Sequence, residues 1–168
     1  MNPTPERIHA QFGNQVRVRV CAICFSGDDL LLIAHRGLTE EGYFIAPPGG
    51  GIEFGESAEE ALYREVEEET GLQIDKPQFL FVHEFIGPPL HAIELFFSAD
   101  IRGGTLKVGT DPEMEDSGQI IERVQFMSPQ EIYAEQKGQF HQIIRHCNHP
   151  KELLSLRGYF KFDNKTRN

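Results

Sequence analysis

The alternation of apolar and polar positions along the chain predicts a series of short strands. Val16–Phe25 is an apolar run, and the polar residues after it form a turn into its expected hairpin partner, Leu30–His35. Four further apolar segments have the length of strands: Tyr43–Ala46, Phe79–Ile86, His91–Ala99 and Ile120–Met127. The segment Gly87–Pro89 is the expected turn between two of them.

Helical patterns lie between and after these strands. Ser57–Thr70 is the clearest, because Ser57 and Glu60 form a capping box and Gly71 provides a stop. A second helix opens at Ser128, with proline at its first position, and a last one follows from the spacing of Phe140, Ile143, Ile144 and Cys147. Strands with helices between them predict a single α/β domain over residues 1–168, with a polar arm (1–15) and a helical C-terminal extension (137–168).

Composition narrows the function classes. The 168 residues are 39% apolar and 25% charged, which is typical of one globular domain. A net charge of −10 argues against broad nucleic-acid binding. Because no apolar run has the roughly 20 residues of a membrane span and the N-terminus lacks an apolar signal core, we expect no membrane partner and a cytoplasmic location.

The cysteines predict core packing. Three cysteines make no disulfide framework. Cys21 and Cys24 lie in one predicted strand, where side chains three positions apart point to opposite faces. We therefore interpret them as buried thiols and not as a metal or redox pair.

Carboxylates continue the apolar face of the helix at Ser57–Thr70. Ala58, Ala61 and Leu62 form a stripe, and one turn later the same stripe carries Glu65, Glu68 and Glu69. Like charges at these spacings oppose helix formation by roughly 0.2–0.5 kcal/mol per pair. Either the helix is simply charge-rich and exposed, or a divalent cation relieves the repulsion. Clustered carboxylates without histidine or cysteine suit Mg²⁺ or Mn²⁺.

The sequence around these glutamates resembles a family motif. The pattern Gly50-x5-Glu56-x7-Arg64-Glu65-Val66-x-Glu68-Glu69-x-Gly71-Leu72 is similar to the Nudix box at every defined position. The resemblance implies an α/β/α sandwich with a mixed sheet, in which the box forms a loop, a helix and a loop. It also implies a Mg²⁺- or Mn²⁺-dependent hydrolase that cleaves a diphosphate linkage in a nucleoside diphosphate derivative.

The same resemblance implies roles for individual residues. Glu65, Glu68 and Glu69 match the metal-binding glutamates. Glu56 matches a further carboxylate that assists the metal, and Arg64 matches an arginine that orients a glutamate. The backbone of Gly50 and Gly51 matches the turn that approaches the diphosphate, although a purely structural role is equally open for both glycines.

The general base is left open between several carboxylates. Glu65 is the candidate within the box, and Glu113 or Glu115 is the candidate in a distal acidic loop, which is otherwise an ordinary solvated segment. Glu94, in a predicted strand, is a further candidate if its side of the sheet faces the site. For His141, His146 and His149 we expect ordinary surface roles.

Two substrate classes remain open. One is a nucleoside diphosphate sugar such as ADP-ribose, because some ADP-ribose hydrolases of the family carry a proline about sixteen residues after the box, where Pro88 lies. The other is a nucleoside triphosphate, cleaved to monophosphate and pyrophosphate. A non-catalytic Nudix-fold regulator is a third alternative, disfavoured because every box glutamate is present. The apolar C-terminal residues pack either on the domain or on a second subunit, so a homodimer is possible.

Overall fold

The computed structural model describes residues 5–39, 42–110, 120–135 and 138–162. The helices are α1 (Pro5–Phe12), α2 (Ala58–Thr70), α3 (Pro129–Ala134), α4 (Gln142–His146) and a 3-10 helix at Pro150–Ser155. The strands are β1 (Val16–Ile23), β2 (Phe25–Ser26), β3 (Asp29–Arg36), β4 (Tyr43–Ala46), β5 (Gly49–Gly51), β6 (Leu72–Gly87), β7 (Leu90–Gly104), β8 (Ile121–Met127), β9 (Gly138–Phe140) and β10 (Gly158–Lys161).

The strands form two mixed sheets, which confirms the predicted α/β class. In the first sheet the order is β10-β6-β7-β1-β5, with β1 parallel to β7 and antiparallel to β5. In the second sheet the order is β2-β3-β4-β9, and β8 pairs with the other side of β3. The resemblance implied one mixed sheet, whereas the described residues form two.

The predicted hairpin between Val16–Phe25 and Leu30–His35 is confirmed only next to its turn, and the pairing expected for the rest of Val16–Phe25 is wrong. β1 ends at Ile23 and lies in the first sheet, while β3 pairs with β2, β4 and β8 in the second. Only the short β2, at Phe25–Ser26, forms the expected antiparallel pair with β3. The apolar run thus contains two strands that belong to different sheets, because the chain leaves the β1 ladder at Cys24.

Two apolar clusters pack around the first sheet. One contains Cys24 and the buried face of α2, including Ala61 and Leu62. The other contains Cys21 with residues of both sheets and of the C-terminal segment, among them Ile143. Cys21 and Cys24 therefore lie in different clusters, as expected for opposite faces of a strand, and burial raises the pKa of Cys24 to about 12.

The C-terminal segment, which we expected to be helical, also contains strands. β9 pairs in parallel with β4, and β10 pairs in parallel with β6 at the edge of the first sheet. The N-terminal arm is partly helical, since α1 spans Pro5–Phe12. Glycine at the start of both β9 and β10 weakened the strand signal in the sequence.

The hairpin β6–β7 reaches across the first sheet and places several polar side chains. Its turn is Pro88–Pro89, and the residues on either side pair from Gly87 with Leu90 outward to His83 with Glu94.

Within the described residues, no helix is long and apolar enough to cross a membrane. Glu113 and Glu115 lie outside the described residues.

Candidate active site

The local sequence defines both ends of α2. The Ser57 side chain accepts the N–H of Glu60, while the Glu60 carboxylate accepts the N–H of Ser57, which is the predicted capping box. Gly71 ends the helix in the left-handed region at φ 72°, and its N–H donates to the carbonyl of Glu67. A residue with a side chain is strained at that φ, so glycine is suited to this position.

Burial along α2 follows the predicted stripe. Glu65 and Glu69 are each only 2% exposed, next to fully buried apolar residues of the same helix. Glu68 lies at the margin, with 32% of its side chain exposed, whereas Glu59 and Glu67 are exposed. The helix therefore turns two carboxylates into the protein, which a merely charge-rich surface helix does not do.

Arg64 binds several of the surrounding acceptors at once. Its Nε and Nη2 donate to the two oxygens of Glu56, each at 2.8 Å. Its Nη1 donates to Glu65 at 2.8 Å and to Glu68 at 3.2 Å, and its Nη2 also donates to the carbonyl of Gly51 at 3.1 Å. A guanidinium has five N–H donors, so these five bonds use all of them.

These contacts shift the pKa values of both partners in the directions that keep them charged. Hydrogen bonding to Arg64 lowers the pKa of Glu56. Hydrogen bonding to Glu56, and then to Glu65, raises the pKa of Arg64. The guanidinium is consequently a permanent cation among three carboxylates.

The glycine turn before α2 lies directly against the buried carboxylates. The N–H of Gly49 donates to Oε2 of Glu69 at 2.8 Å. A Cβ on Gly50 would lie only 2.2 Å from Oε1 of Glu65, so the carboxylate occupies the space that a side chain would need. Only glycine at position 50 lets the backbone approach Glu65 this closely.

The segment after β7 runs beside the C-terminal end of α2. The N–H groups of Lys107, Gly109 and Thr110 donate to backbone carbonyls of α2, and that of Thr110 reaches Glu68 at 3.1 Å. These bonds satisfy carbonyls that have no partner within the helix. The chain is therefore anchored at the box helix immediately before the acidic segment that contains Glu113.

The donor set around α2 consists of oxygen atoms. Four carboxyl groups lie on or beside the helix, those of Glu56, Glu65, Glu68 and Glu69, and Arg64 supplies one positive charge. A compact metal site needs three ligand atoms close to one another. In the described residues, a different group has three such atoms within 4.8 Å of one another, and the oxygens of these glutamates do not. Three of the four carboxylates, those of Glu56, Glu65 and Glu68, accept hydrogen bonds from Arg64.

That compact group is His83, Glu94 and His141, all buried in the first sheet and the segment that packs on it. Oε2 of Glu94 is 2.8 Å from Nδ1 of His83 and 2.8 Å from Nε2 of His141. Burial alone would raise the pKa of Glu94. The combined effect of His141, His83 and Arg19 nevertheless holds this pKa well below its usual value. Glu94 is thus a charged carboxylate in the interior.

Hydrogen bonding at His141 opposes metal binding by this group. The N–H of Ile143 donates to Nδ1 of His141, so the ring carries its proton on Nε2 and donates it to Glu94. A metal at Nε2 needs that nitrogen without its proton, and the neutral ring would then carry a proton on Nδ1 facing the N–H of Ile143. The arrangement fits a hydrogen-bonded network and not a metal site.

Sequence reasoning missed this network. We expected a surface role for His141, which is wrong, because the residue is only 6% exposed and its side chain caps α4. Glu94, a candidate base, binds His83 and His141, and for His83 we had no expectation. The sequence did contain a signal for the contact between His83 and Glu94, because a two-residue turn at Pro88–Pro89 places these residues directly opposite each other.

The structure brings most of the sequence-predicted site residues together. Glu56, Arg64, Glu65 and Glu68 share one set of hydrogen bonds. The glycine turn joins them through Gly51 and, by contact with Glu65, through Gly50, and its Gly49 binds Glu69.

The sequence matches a known protein family. The family model for the NUDIX domain matches residues 15–147, which is most of the chain. The fold is similar to that of a MutT NUDIX hydrolase from Burkholderia pseudomallei, with a TM-score of 0.64, 23% sequence identity, and coverage of 79% of this chain and 95% of that one.

Two curated relatives match shorter regions. An ADP-ribose pyrophosphatase from Methanocaldococcus jannaschii is 40% identical over 96 residues, which is 56% of each chain. A Bacillus subtilis protein named as a candidate 8-oxo-dGTP diphosphatase, YtkD, is 37% identical over 82 residues, or 49% of each chain. The chain thus spans about half the length of these curated relatives.

Proposed function

Because the chain belongs to the NUDIX domain family, we propose that it is a hydrolase that cleaves the diphosphate linkage of a nucleoside diphosphate derivative and depends on Mg²⁺ or Mn²⁺. The observation that carries the proposal is the pair of buried carboxylates on α2, Glu65 and Glu69, held against a glycine turn. Buried glutamates are rare, and perturbed carboxylates cluster at functional sites, where a bound cation can offset their charge.

The residues present fit a hard divalent cation. All the candidate ligand atoms are carboxylate oxygens, which Mg²⁺ and Mn²⁺ prefer over the nitrogen and sulfur ligands typical of Zn²⁺. Mg²⁺ commonly uses one or two protein carboxylates and completes its shell with water and substrate phosphate, so a compact triple is not required. Glu65, Glu68 and Glu69 would hold the ion, with Glu56 in support.

The described residues have separate tasks in this proposal. The bound cation supplies charge neutralisation and a more acidic water. Arg64 fixes the carboxylates of Glu56, Glu65 and Glu68 by charge-assisted hydrogen bonds and thereby limits their rotation. The backbone of Gly50 and Gly51 lets a diphosphate lie close to these carboxylates, since no side chain intervenes.

One carboxylate must accept a proton from the attacking water. Glu65 is the candidate within the described residues, and burial at 2% exposure suits a base that works away from bulk solvent. Glu113 and Glu115 remain predictions. Glu113 is three residues after Thr110, whose N–H binds the carbonyl of Glu68, and three residues of extended chain reach at most roughly 10 Å.

For the substrate we propose a nucleoside diphosphate sugar such as ADP-ribose. The name of the relative from Methanocaldococcus jannaschii, 40% identical over 96 residues, supports this class. Hydrolysis of the internal diphosphate by one water gives two monophosphates, AMP and ribose 5-phosphate. Pro88 adds little, because it belongs to the turn of the β6–β7 hairpin.

A product assay tests the proposal. Purified protein is incubated with ADP-ribose and Mg²⁺, and AMP is quantified by chromatography, with EDTA-treated protein as the control. We expect AMP and ribose 5-phosphate in equal amounts, and little product with EDTA or in a Glu69→Gln variant. Full turnover in EDTA would refute the metal-dependent reaction.

A second substrate class has its own support. The name of the Bacillus subtilis relative, 37% identical over 82 residues, favours a nucleoside triphosphate pyrophosphohydrolase. Such a reaction releases pyrophosphate at once, whereas cleavage of ADP-ribose releases none. Strong pyrophosphate release from triphosphates, with ADP-ribose inert, would replace the first substrate class by the second.

The cysteines support a reducing compartment such as the cytoplasm. Cys21, Cys24 and Cys147 are free thiols. Burial raises the pKa of Cys147 to about 11, so its reactive thiolate form is scarce at neutral pH.

A further inference from the structure

We propose that Arg19 contacts the diphosphate of the substrate and that the buried Glu94 is the positioning residue that holds Arg19 for this contact. The inference rests on the proposed function, because it concerns the same site and the same anionic group. It adds a substrate-binding side chain that lies outside the box, on β1.

A site that binds a diphosphate beside four carboxylates needs cationic groups. Arg64 is an unsuitable partner for substrate, since its five donors already bind Glu56, Glu65, Glu68 and Gly51. Recruiting Arg64 would release a carboxylate from its partner. A second cation that reaches the glycine turn avoids this cost.

Arg19 is a cation that lies beside the glycine turn. In the β1–β5 ladder it pairs with Gly51, and its Nη2 donates to the carbonyl of Gly49 at 3.2 Å. The N–H of Gly49 in turn donates to Glu69, so a single residue, Gly49, links the guanidinium of Arg19 to a buried carboxylate of α2. The Arg19 side chain is 32% exposed, which leaves part of its surface accessible from solvent.

Glu94 fixes the direction of this side chain. In the β1–β7 ladder Glu94 pairs with Arg19, and its Oε1 lies 3.7 Å from Nη1. The other oxygen, Oε2, accepts hydrogen bonds from His83 and His141. One oxygen of the carboxylate therefore faces Arg19, and the other binds the two histidines. Two histidine donors hold the carboxylate still, and the carboxylate then orients the guanidinium.

The network is costly to build for stability alone. His83, Glu94 and His141 are at most 6% exposed and lie among apolar residues, and Nε2 of His83 has no hydrogen-bond partner in the described part of the chain. Replacement of such a network by apolar side chains is often neutral or stabilising. Because the network extends to Arg19, a partly exposed arginine beside the glycine turn, a role in ligand binding explains why these polar residues are buried here.

Arg17 offers a matched control. It lies two residues before Arg19 on the same face of β1, and its guanidinium rests 3.9 Å above the ring of Phe12. Arg17→Gln and Arg19→Gln remove the same charge from the same strand. If the diphosphate touches Arg19, only the second change weakens binding substantially.

The experiment measures binding without turnover. The probe is α,β-methylene ADP with Mg²⁺, whose bridging CH₂ group resists hydrolysis, and affinity is measured by isothermal titration calorimetry. We expect Arg19→Gln to weaken binding about 10- to 100-fold, the usual range for a lost hydrogen bond to a charged group. Arg19→Lys should lose less, Glu94→Gln should also lose affinity, and Arg17→Gln should bind like the wild type.

A second readout separates contact with the ligand from a structural role. Mn²⁺ affinity without nucleotide, followed by electron paramagnetic resonance, should not weaken in Arg19→Gln if the side chain acts on the diphosphate. A parallel loss of Mn²⁺ affinity would show that Arg19 acts through Gly49 and Glu69, and would overturn the proposal. Wild-type affinity in Arg19→Gln, or an equal loss in Arg17→Gln, would overturn it as well.

Failure of the proposed function gives a different result. If the wild type hydrolyses neither ADP-ribose nor triphosphates, the proposed hydrolytic function is refuted. Binding of the methylene probe then still tests whether Arg19 contacts a diphosphate. If the wild type hydrolyses its substrate and Arg19→Gln keeps the same KM, the reaction stands and the role of Arg19 is refuted.

Discussion

Arg64 and Glu56 form a bidentate pair in which Nε and Nη2 each donate to a different carboxylate oxygen at 2.8 Å. The pair joins the loop before α2 to the helix itself, eight residues later in the chain. Because the same guanidinium also binds Glu65 and Glu68, one planar cation determines where three carboxylates lie.

Arg64→Lys should therefore be poorly tolerated. Lysine keeps the charge but presents a single ammonium, which cannot bind Glu56 through two parallel bonds and also reach Gly51. We expect a loss of about 1–3 kcal/mol in the free energy of unfolding and a fall in hydrolysis of at least about tenfold. Urea unfolding and a product assay measure the two effects. Arg102→Lys, at an exposed arginine of β7, should change neither.

Gly50→Ala tests the contact between the glycine turn and α2. The new Cβ would lie 2.2 Å from Oε1 of Glu65, so the carboxylate must rotate away. Gly103→Ala is the matched control, since the nearest atom to a Cβ there is 3.9 Å away. We expect activity to fall more than about tenfold in the first variant only. Equal activity in the two variants would mean that the position of Glu65 is unimportant for turnover.

Much of this site follows from local sequence. The capping box at Ser57, the glycine stop at Gly71 and the inward stripe of α2 depend on residues within a few positions of one another, and all are present in the structure. The hairpin register that pairs His83 with Glu94 was equally local, because the two-residue turn at Pro88–Pro89 determines it.

The remaining features depend on pairings between distant segments. Periodicity predicts that β1 and β3 are strands, but it does not say that they belong to different sheets. The contact of Arg19 with Glu94 requires the parallel pairing of β1 with β7, across 75 positions of the sequence. The burial of His141 likewise depends on where the C-terminal segment packs, which local patterns do not determine.

Divalent cations should stabilise the protein. Binding to the native state adds about 2.7 kcal/mol when the free cation is at 100 times its Kd, so millimolar Mg²⁺ or Mn²⁺ should raise Tm. Glu65→Gln removes one of the buried charges and should reduce that rise. Glu67→Gln, an exposed position on the same helix, should leave it unchanged. Scanning calorimetry with and without cation measures the shifts, and an equal response in both variants would assign the effect to general charge screening.

His35 should make stability depend on pH. Burial lowers the pKa of His35 from its usual 6.5 to about 4, so the unfolded chain binds this proton more readily. The neutral ring contributes its full stability above pH 6.5, and the contribution is lost as the pH falls from 6.5 to about 4. Relative to His35→Gln, the wild type should lose about 1–2 kcal/mol over this interval, because partial exposure reduces the effect. Urea unfolding at several pH values measures the difference, with His9→Gln, at an exposed histidine of α1, as the control. Parallel profiles for the wild type and His35→Gln would show that protonation of His35 does not oppose folding.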